Sequence, residues 1–255
     1  MEGRLMPIVY RNKDVVTISP SSQKDIMNLS FTKEKNIQII HSGVSEKLFV
    51  NYPKTDHPSY IYLGRLKEYK QVDIAIKAFA KVARVKKDAT LAIVGSGESY
   101  ASLKKLVISL GMENAVTFHG KVSEQEKAFL LAKSWAAIQP SQMEGWGLTV
   151  IEANAAGTPV IASRVSGLQD SVINYQTGIL VPAGNVTAFA DAMMQIANDD
   201  MLRVNLSQEA QLWAKNFDWK KSADAFYQLI EKNGTQSIFS PSYSDAMLPT
   251  SVKEQ

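Results

Sequence analysis

Two carboxylates eight residues apart, Glu144 and Glu152, bracket the turn Gly145-Trp146-Gly147 and the start of a run of small and apolar residues, Leu148 to Ala156, which Gly157 closes. Glycines at 145 and 147 leave the backbone free for turn dihedrals, the run from Leu148 suits a helix, and a glycine suits its C-terminal end. A helix beginning near Leu148 exposes unpaired amides and a partial positive charge, so it can hold an anion without a metal. A diphosphate fits such a site. Glu152, about one turn inside the helix, is placed to accept hydrogen bonds from ribose hydroxyls, while Glu144 faces a sugar. Each carboxylate also has a plain role, as a loop charge or as a side chain favoured by the helix dipole.

Two cations extend this chemistry. Arg65 and Lys70 follow the apolar run Tyr60–Leu63 and the turn residue Gly64. Exposed basic side chains are usually only solvated. On the same rim as the helix start they would neutralise a diphosphate leaving group. Ser123 and Glu126 have capping-box spacing, which uses the Ser123 side chain and leaves the backbone of Val122 and Ser123 free for another partner. Gly95-Ser-Gly-Glu98 invites a dinucleotide reading, but Tyr100 stands where the third glycine belongs, and a tight strand-to-helix turn is preferred. The three histidines, His41, His57 and His119, lack metal-ligand spacing, and no metal is assigned.

From Tyr60 onward short β-branched runs alternate with segments of helical period, the pattern of a parallel sheet with crossover helices. Strands are predicted near 60–63, 90–94, 115–118, 136–139, 159–162 and 179–181. Helices are predicted at 71–85, 100–110, 124–131, 148–156 and 187–197, with two more at 202–217 and 219–232. This is an α/β, doubly wound, Rossmann-like domain, and its ligands belong beyond the C-terminal strand ends, in the loops 64–70, 95–98, 119–123 and 140–147. Before it, 15–19, 21–29 and 37–41 read as strand, helix and strand.

Composition narrows the alternatives. The 255 residues are 45% hydrophobic and 21% charged, with a net charge of +3 spread along the chain, which argues against a nucleic-acid partner. The absence of cysteine excludes disulfides and thiolate metal sites. No run nears the ~20 apolar residues of a membrane span, and the expected location is cytoplasmic, with a peripheral membrane seat as an alternative.

The segment Glu144–Glu152 resembles the E-x7-E signature of the retaining nucleotide-sugar glycosyltransferases of the GT-B fold, the group 1 family that includes sucrose and bacterial glycogen synthases. Tyr62-Leu-Gly-Arg-Leu-Lys-Glu-Tyr-Lys70, Ile93–Glu98, Val116–Ser123 and Thr177–Val181 fall in that family's order, and the resemblance covers roughly 14–230. It implies the donor-binding C-terminal half of such an enzyme: residues 1–42 ending an N-terminal acceptor domain, 43–59 a linker, 60–200 the donor domain, 201–233 terminal helices and 234–255 a disordered tail. It further implies that Arg65 and Lys70 bind the diphosphate after Gly64, that Glu144 contacts the transferred sugar and Glu152 the ribose, and that amides around Gly145, Gly147, Leu148 and Thr149 hold phosphate. Backbone groups of Val122 and Ser123 would meet the nucleobase. Trp146 would stack on the donor or, more simply, pack beneath the loop. Transfer to a hydroxyl acceptor would retain anomeric configuration by a front-face path needing no protein nucleophile, metal or cofactor. The sequence departs from the family at Gln71, where glycine is usual, at Trp146, where Phe is common, and in 166–170. The acceptor half would come from a longer protein or a separate chain. Two other readings stand beside this one: a module that binds donor without transferring it, and a glycoside hydrolase built on the carboxylate pair.

Overall fold

The computed structural model describes residues 13–29 and 32–232. The tail expected at 234–255 lies outside the described residues. Six strands, β3 (Ser59–Leu63), β4 (Thr90–Val94), β5 (Val116–Gly120), β6 (Ala136–Gln139), β7 (Val160–Ser163) and β8 (Gly178–Val181), form one all-parallel sheet in the order β5-β4-β3-β6-β7-β8. The expected six-strand doubly wound sheet is therefore present. The interior strands are mainly apolar because both faces are covered, with Ser59, Thr90, Gln139 and Ser163 confined to their ends. In β3 the alternation of side chains sends Tyr60 and Tyr62 to one core and Ile61 to the other.

The first core is closed by α2 (Val72–Val85), α3 (Tyr100–Ser109) and α7 (Val186–Asn198); the second by α4 (Glu124–Lys133) and α5 (Leu148–Ala155), with α8 (Asp200–Ala214) packed on α5. Burial in α2 follows helical spacing: Ile74, Ala75, Ala78, Phe79 and Val82 all face the sheet. The chain winds β3-β4-β5 in one direction, returns through α4 to place β6 beside β3, and then winds the other way. The loops leaving β3 and β6 therefore diverge, and a crevice opens between them at the C-terminal strand ends.

A smaller unit precedes the sheet. β1 (Val15–Thr17) and β2 (Ile37–Ile39) pair in parallel across α1 (Pro20–Asn28). The first strand is shorter than predicted because the Ser19 hydroxyl accepts the Ser22 amide and Pro20 opens the helix. A last helix, α9 (Trp219–Lys232), joins this unit to the body: Ser222 Oγ donates to the His41 carbonyl at 2.6 Å and the Val44 amide to the Phe217 carbonyl at 3.0 Å. The helix predicted at 202–217 begins two residues earlier, where Asp199 caps it through the Leu202 amide at 2.9 Å, and ends at Ala214. A short helix not anticipated from sequence, α6 (Leu168–Ser171), follows Gly167.

Candidate functional site

The β3–α2 loop carries Gly64, Arg65 and Lys70; the β6–α5 loop carries Glu144 to Gly147. These loops face each other across the crevice. They are tied by the Gln142 amide donating to the Tyr69 carbonyl at 2.9 Å, and by an ion pair between Lys70 and Glu144. Both side chains of that pair are nearly withdrawn from water, at 12% and 13% exposure. The Ser141 hydroxyl donates to the same Glu144 oxygen at 3.0 Å. Arg65 is exposed; its Nη2 donates to Tyr69 Oη at 2.8 Å, while buried Tyr62 donates its hydroxyl to the Arg65 carbonyl at 2.8 Å. Burial raises the Tyr62 phenol, with the Glu144 charge adding to it, so Tyr62 remains a donor.

Gln71 holds φ +49°, the left-handed conformation for which glycine is the usual residue, so the departure from the family pattern leaves the turn intact. Its Oε1 is buried without a partner. The turn 95–97 packs directly on this loop. A Cβ at Gly95 would strike the Gly64 carbonyl and one at Gly97 the Leu66 carbonyl, so these glycines serve close backbone approach.

Helix α5 begins at Leu148 behind Gly147 (φ +83°) and has no side-chain cap. The amides of Leu148 and Thr149 take no hydrogen bond among the described residues. Two free donors and the positive end of the helix thus point into the crevice. Beneath them Gln139, at the end of β6, donates to the Leu63 carbonyl at 3.1 Å and bonds the Thr149 hydroxyl, which fixes the first turn of α5 to the sheet. Sequence reading missed Gln139; its signal was a polar residue closing an otherwise apolar strand.

Glu152 lies one turn further along, and its Oε1 accepts from Lys127 Nζ of α4 at 2.7 Å. Lys127 also reaches Glu124 at 2.9 Å. Burial works to lower the Lys127 pKa, but the hydrogen bonds and charges of Glu152 and Glu124 outweigh it and leave the value raised. Lys127 had not been anticipated. Ser123 caps α4 by accepting the Glu126 amide at 3.1 Å, and neither the amide nor the carbonyl of Val122 has a partner among the described residues.

Trp146, counted from sequence among the donor-binding residues, has its indole beneath the loop at 3% exposure. Its ring lies 4.2 Å from His41 and 5.2 Å from Phe217, centroid to centroid, so the side chain packs and leaves only its backbone to face the crevice. Burial holds His41 below its ordinary pKa against the Ile18 carbonyl and the Asp170 charge. Gly145 is exposed, and its carbonyl accepts from Ser22 Oγ at 3.3 Å. The segment 166–170 also has a place: Gly167 (φ +71°) lies against the Glu144–Gly145 backbone, where a Cβ would clash, and Asp170 accepts the Ser21 amide at 2.9 Å. Alongside the crevice lies a concavity of about 880 Å³, lined by Lys67, Tyr69, Gln71, Glu98 and Gln142 among others. Among the described residues no three His, Cys, Asp or Glu converge as a metal site, and no helix is long and apolar enough to cross a membrane.

Comparison with known proteins agrees with this geometry. The chain is 30% identical over 226 residues to a glycogen synthase of Mycobacterium tuberculosis, an alignment spanning 87% of this chain and 55% of the relative, and 29% identical to an N-acetyl-alpha-D-glucosaminyl L-malate synthase of Bacillus anthracis over 82% and 57%. It therefore spans about half the length of the curated relatives it matches. Among solved structures, the sucrose-phosphate synthase of Thermosynechococcus elongatus superposes with a TM-score of 0.81 at 29% identity, covering 91% of this chain and 62% of that one. HepE of Anabaena, solved with UDP-glucose, gives 0.81 at 20% identity over 90% and 67%, a likeness of fold. The family described as glycosyl transferases group 1 matches residues 44–213, and the chain belongs to that family, of GT-B fold.

Proposed function

We propose that this chain is the donor-binding half of a retaining glycosyltransferase, which moves a sugar from a nucleoside diphosphate sugar to an acceptor hydroxyl. The observation that carries this reading is the uncapped start of α5 at the sheet's switch point, with Lys70 tied to Glu144 across the crevice and Arg65 exposed on the same β3–α2 loop. The diphosphate lies against the amides of Gly145, Gly147, Leu148 and Thr149. Glu152 takes the ribose, the backbone of Val122 and Ser123 the base, and Glu144 the transferred sugar.

As the glycosidic bond breaks, the sugar becomes cationic and negative charge grows on the leaving diphosphate. Arg65, Lys70 and the helix start are preorganised for that charge, each contributing a few kcal/mol in a closed site. No metal is required in this scheme. Lys70 already holds Glu144, and an ammonium has three protons. It can grip phosphate while steadying the carboxylate under the sugar. That the chain spans about half the length of the curated relatives it matches supports an acceptor half from elsewhere in a longer polypeptide or from a partner chain. The cytoplasm, with peripheral membrane contact where the acceptor is a lipid, suits that scheme.

A thermal-shift panel of UDP, GDP and ADP tests the reading. One of the three should raise the unfolding midpoint in proportion to the logarithm of its concentration. Labelled nucleotide sugars then separate transfer or slow hydrolysis from binding alone, the latter favouring the donor-binding module. Cleavage of a simple glycoside without stabilisation by any nucleotide would instead favour a hydrolase.

A further inference from the structure

We infer that Lys127 is a positioning residue that makes the donor site specific for ribose, an assignment that rests on the donor-site reading above. Its side chain is 12% exposed and that of Glu152 15%, nearly the same withdrawal from water as the Lys70–Glu144 pair. The two pairs differ in what they join. Lys70 and Glu144 lie on facing loops, whereas Lys127 joins the helix that starts at the base-facing turn, 122–123, to the helix that carries the ribose carboxylate.

Glu152 alone has three side-chain torsions and would lose much of a ribose contact to the entropy of ordering it. The 2.7 Å bond from Lys127 to Oε1 removes that freedom beforehand, and Oε2 has no hydrogen bond among the described residues. One carboxylate oxygen is thereby anchored, and the other is free to accept from a sugar hydroxyl. Glu124, at 2.9 Å on the other side of Lys127, holds the ammonium in place from within α4. The three groups fix the distance between a base held at α4 and a ribose held at α5. A nucleotide lacking the hydroxyls leaves the anchored carboxylate unpaired, and the site rejects it.

The test is isothermal titration of UDP and 2′,3′-dideoxy-UDP, repeated with the GDP and ADP pairs, against the wild-type chain and the Lys127→Met, Lys127→Gln and Lys127→Arg variants. Wild type should favour the ribonucleotide by about 10- to 100-fold, the range of a hydrogen bond to a charged group. Lys127→Met should reduce that ratio to within about threefold of unity, Lys127→Gln should fall between, and Lys127→Arg should restore most of it. A merely structural role would lower the melting temperature and weaken both ligands alike. If Lys127→Met, or Lys127→Gln should the first fail to fold, keeps the wild-type ratio, the assignment is wrong while the donor site stands. If the wild-type chain binds none of the diphosphates, the donor-site reading itself falls, and the role of Lys127 with it.

Discussion

At the residue scale, each signature carboxylate is held by a lysine from another element. Glu144 and Glu152 were legible from their spacing around the glycine turn, and Lys70 from its place on the same rim together with the family resemblance. Lys127 was not, because a lysine one turn beyond Ser123 looks like any solvated helix residue until α4 and α5 are brought side by side. Glu152→Ala is expected to weaken nucleoside and nucleoside diphosphate binding to a similar degree, about tenfold or more, since the ribose is common to both; direct titration checks it, and loss confined to the diphosphate would contradict the role. A third lysine, Lys54, lies at the opposite end of the sheet. Lys54 Nζ donates to the Ser134 carbonyl and the Thr158 hydroxyl, both at 2.8 Å, and burial, helped by the Arg203 charge, pushes its pKa down to about 7. The unfolded chain holds that proton up to about pH 10.4. Between these values the unfolded state binds more protons, so stability should rise with pH from about 7 to 10, by up to about 1.4 kcal/mol per unit from this group. Urea midpoints measured across that range should show the rise in wild type and a flatter profile in Lys54→Met.

At the element scale, the six strands and their crossover helices were readable because their patterns are long and periodic, and both faces of the sheet must be filled. What was not readable depends on contact between segments distant in sequence. The short helix α6 and the close approach of Gly167 to the Glu144–Gly145 backbone follow from how α6 tucks beneath the signature loop. The ring of Trp146 packs under that loop because His41 and Phe217, more than 70 residues away on either side, come together there. Gly167→Ala tests this packing. It forces a Cβ into backbone at φ +71°, and should destabilise the fold by about 2–4 kcal/mol from left-handed strain and overpacking together. It should also weaken nucleotide binding at temperatures where the variant is folded. Chemical denaturation with parallel titration measures both, and an unchanged midpoint would remove Gly167 from the support of the loop.

At the scale of the whole molecule, the reversal of winding between β3 and β6 does what no single residue does. It opens the crevice, and it sets two loops with opposite inventories, basic on one side and amide-rich on the other, to face each other. The glycine-bounded helix start and the two cations were evident in the sequence, but their meeting depends on strand order, which follows from right-handed crossovers rather than from any local motif. The central claim is that this crevice holds a diphosphate, and titration of a nucleoside diphosphate and its parent nucleoside against wild type, Arg65→Ala and Lys70→Ala tests it most directly. The diphosphate should lose about 10- to 100-fold in affinity in each variant while the nucleoside changes by less than about threefold; equal losses for both ligands, or none for the diphosphate, would contradict the account.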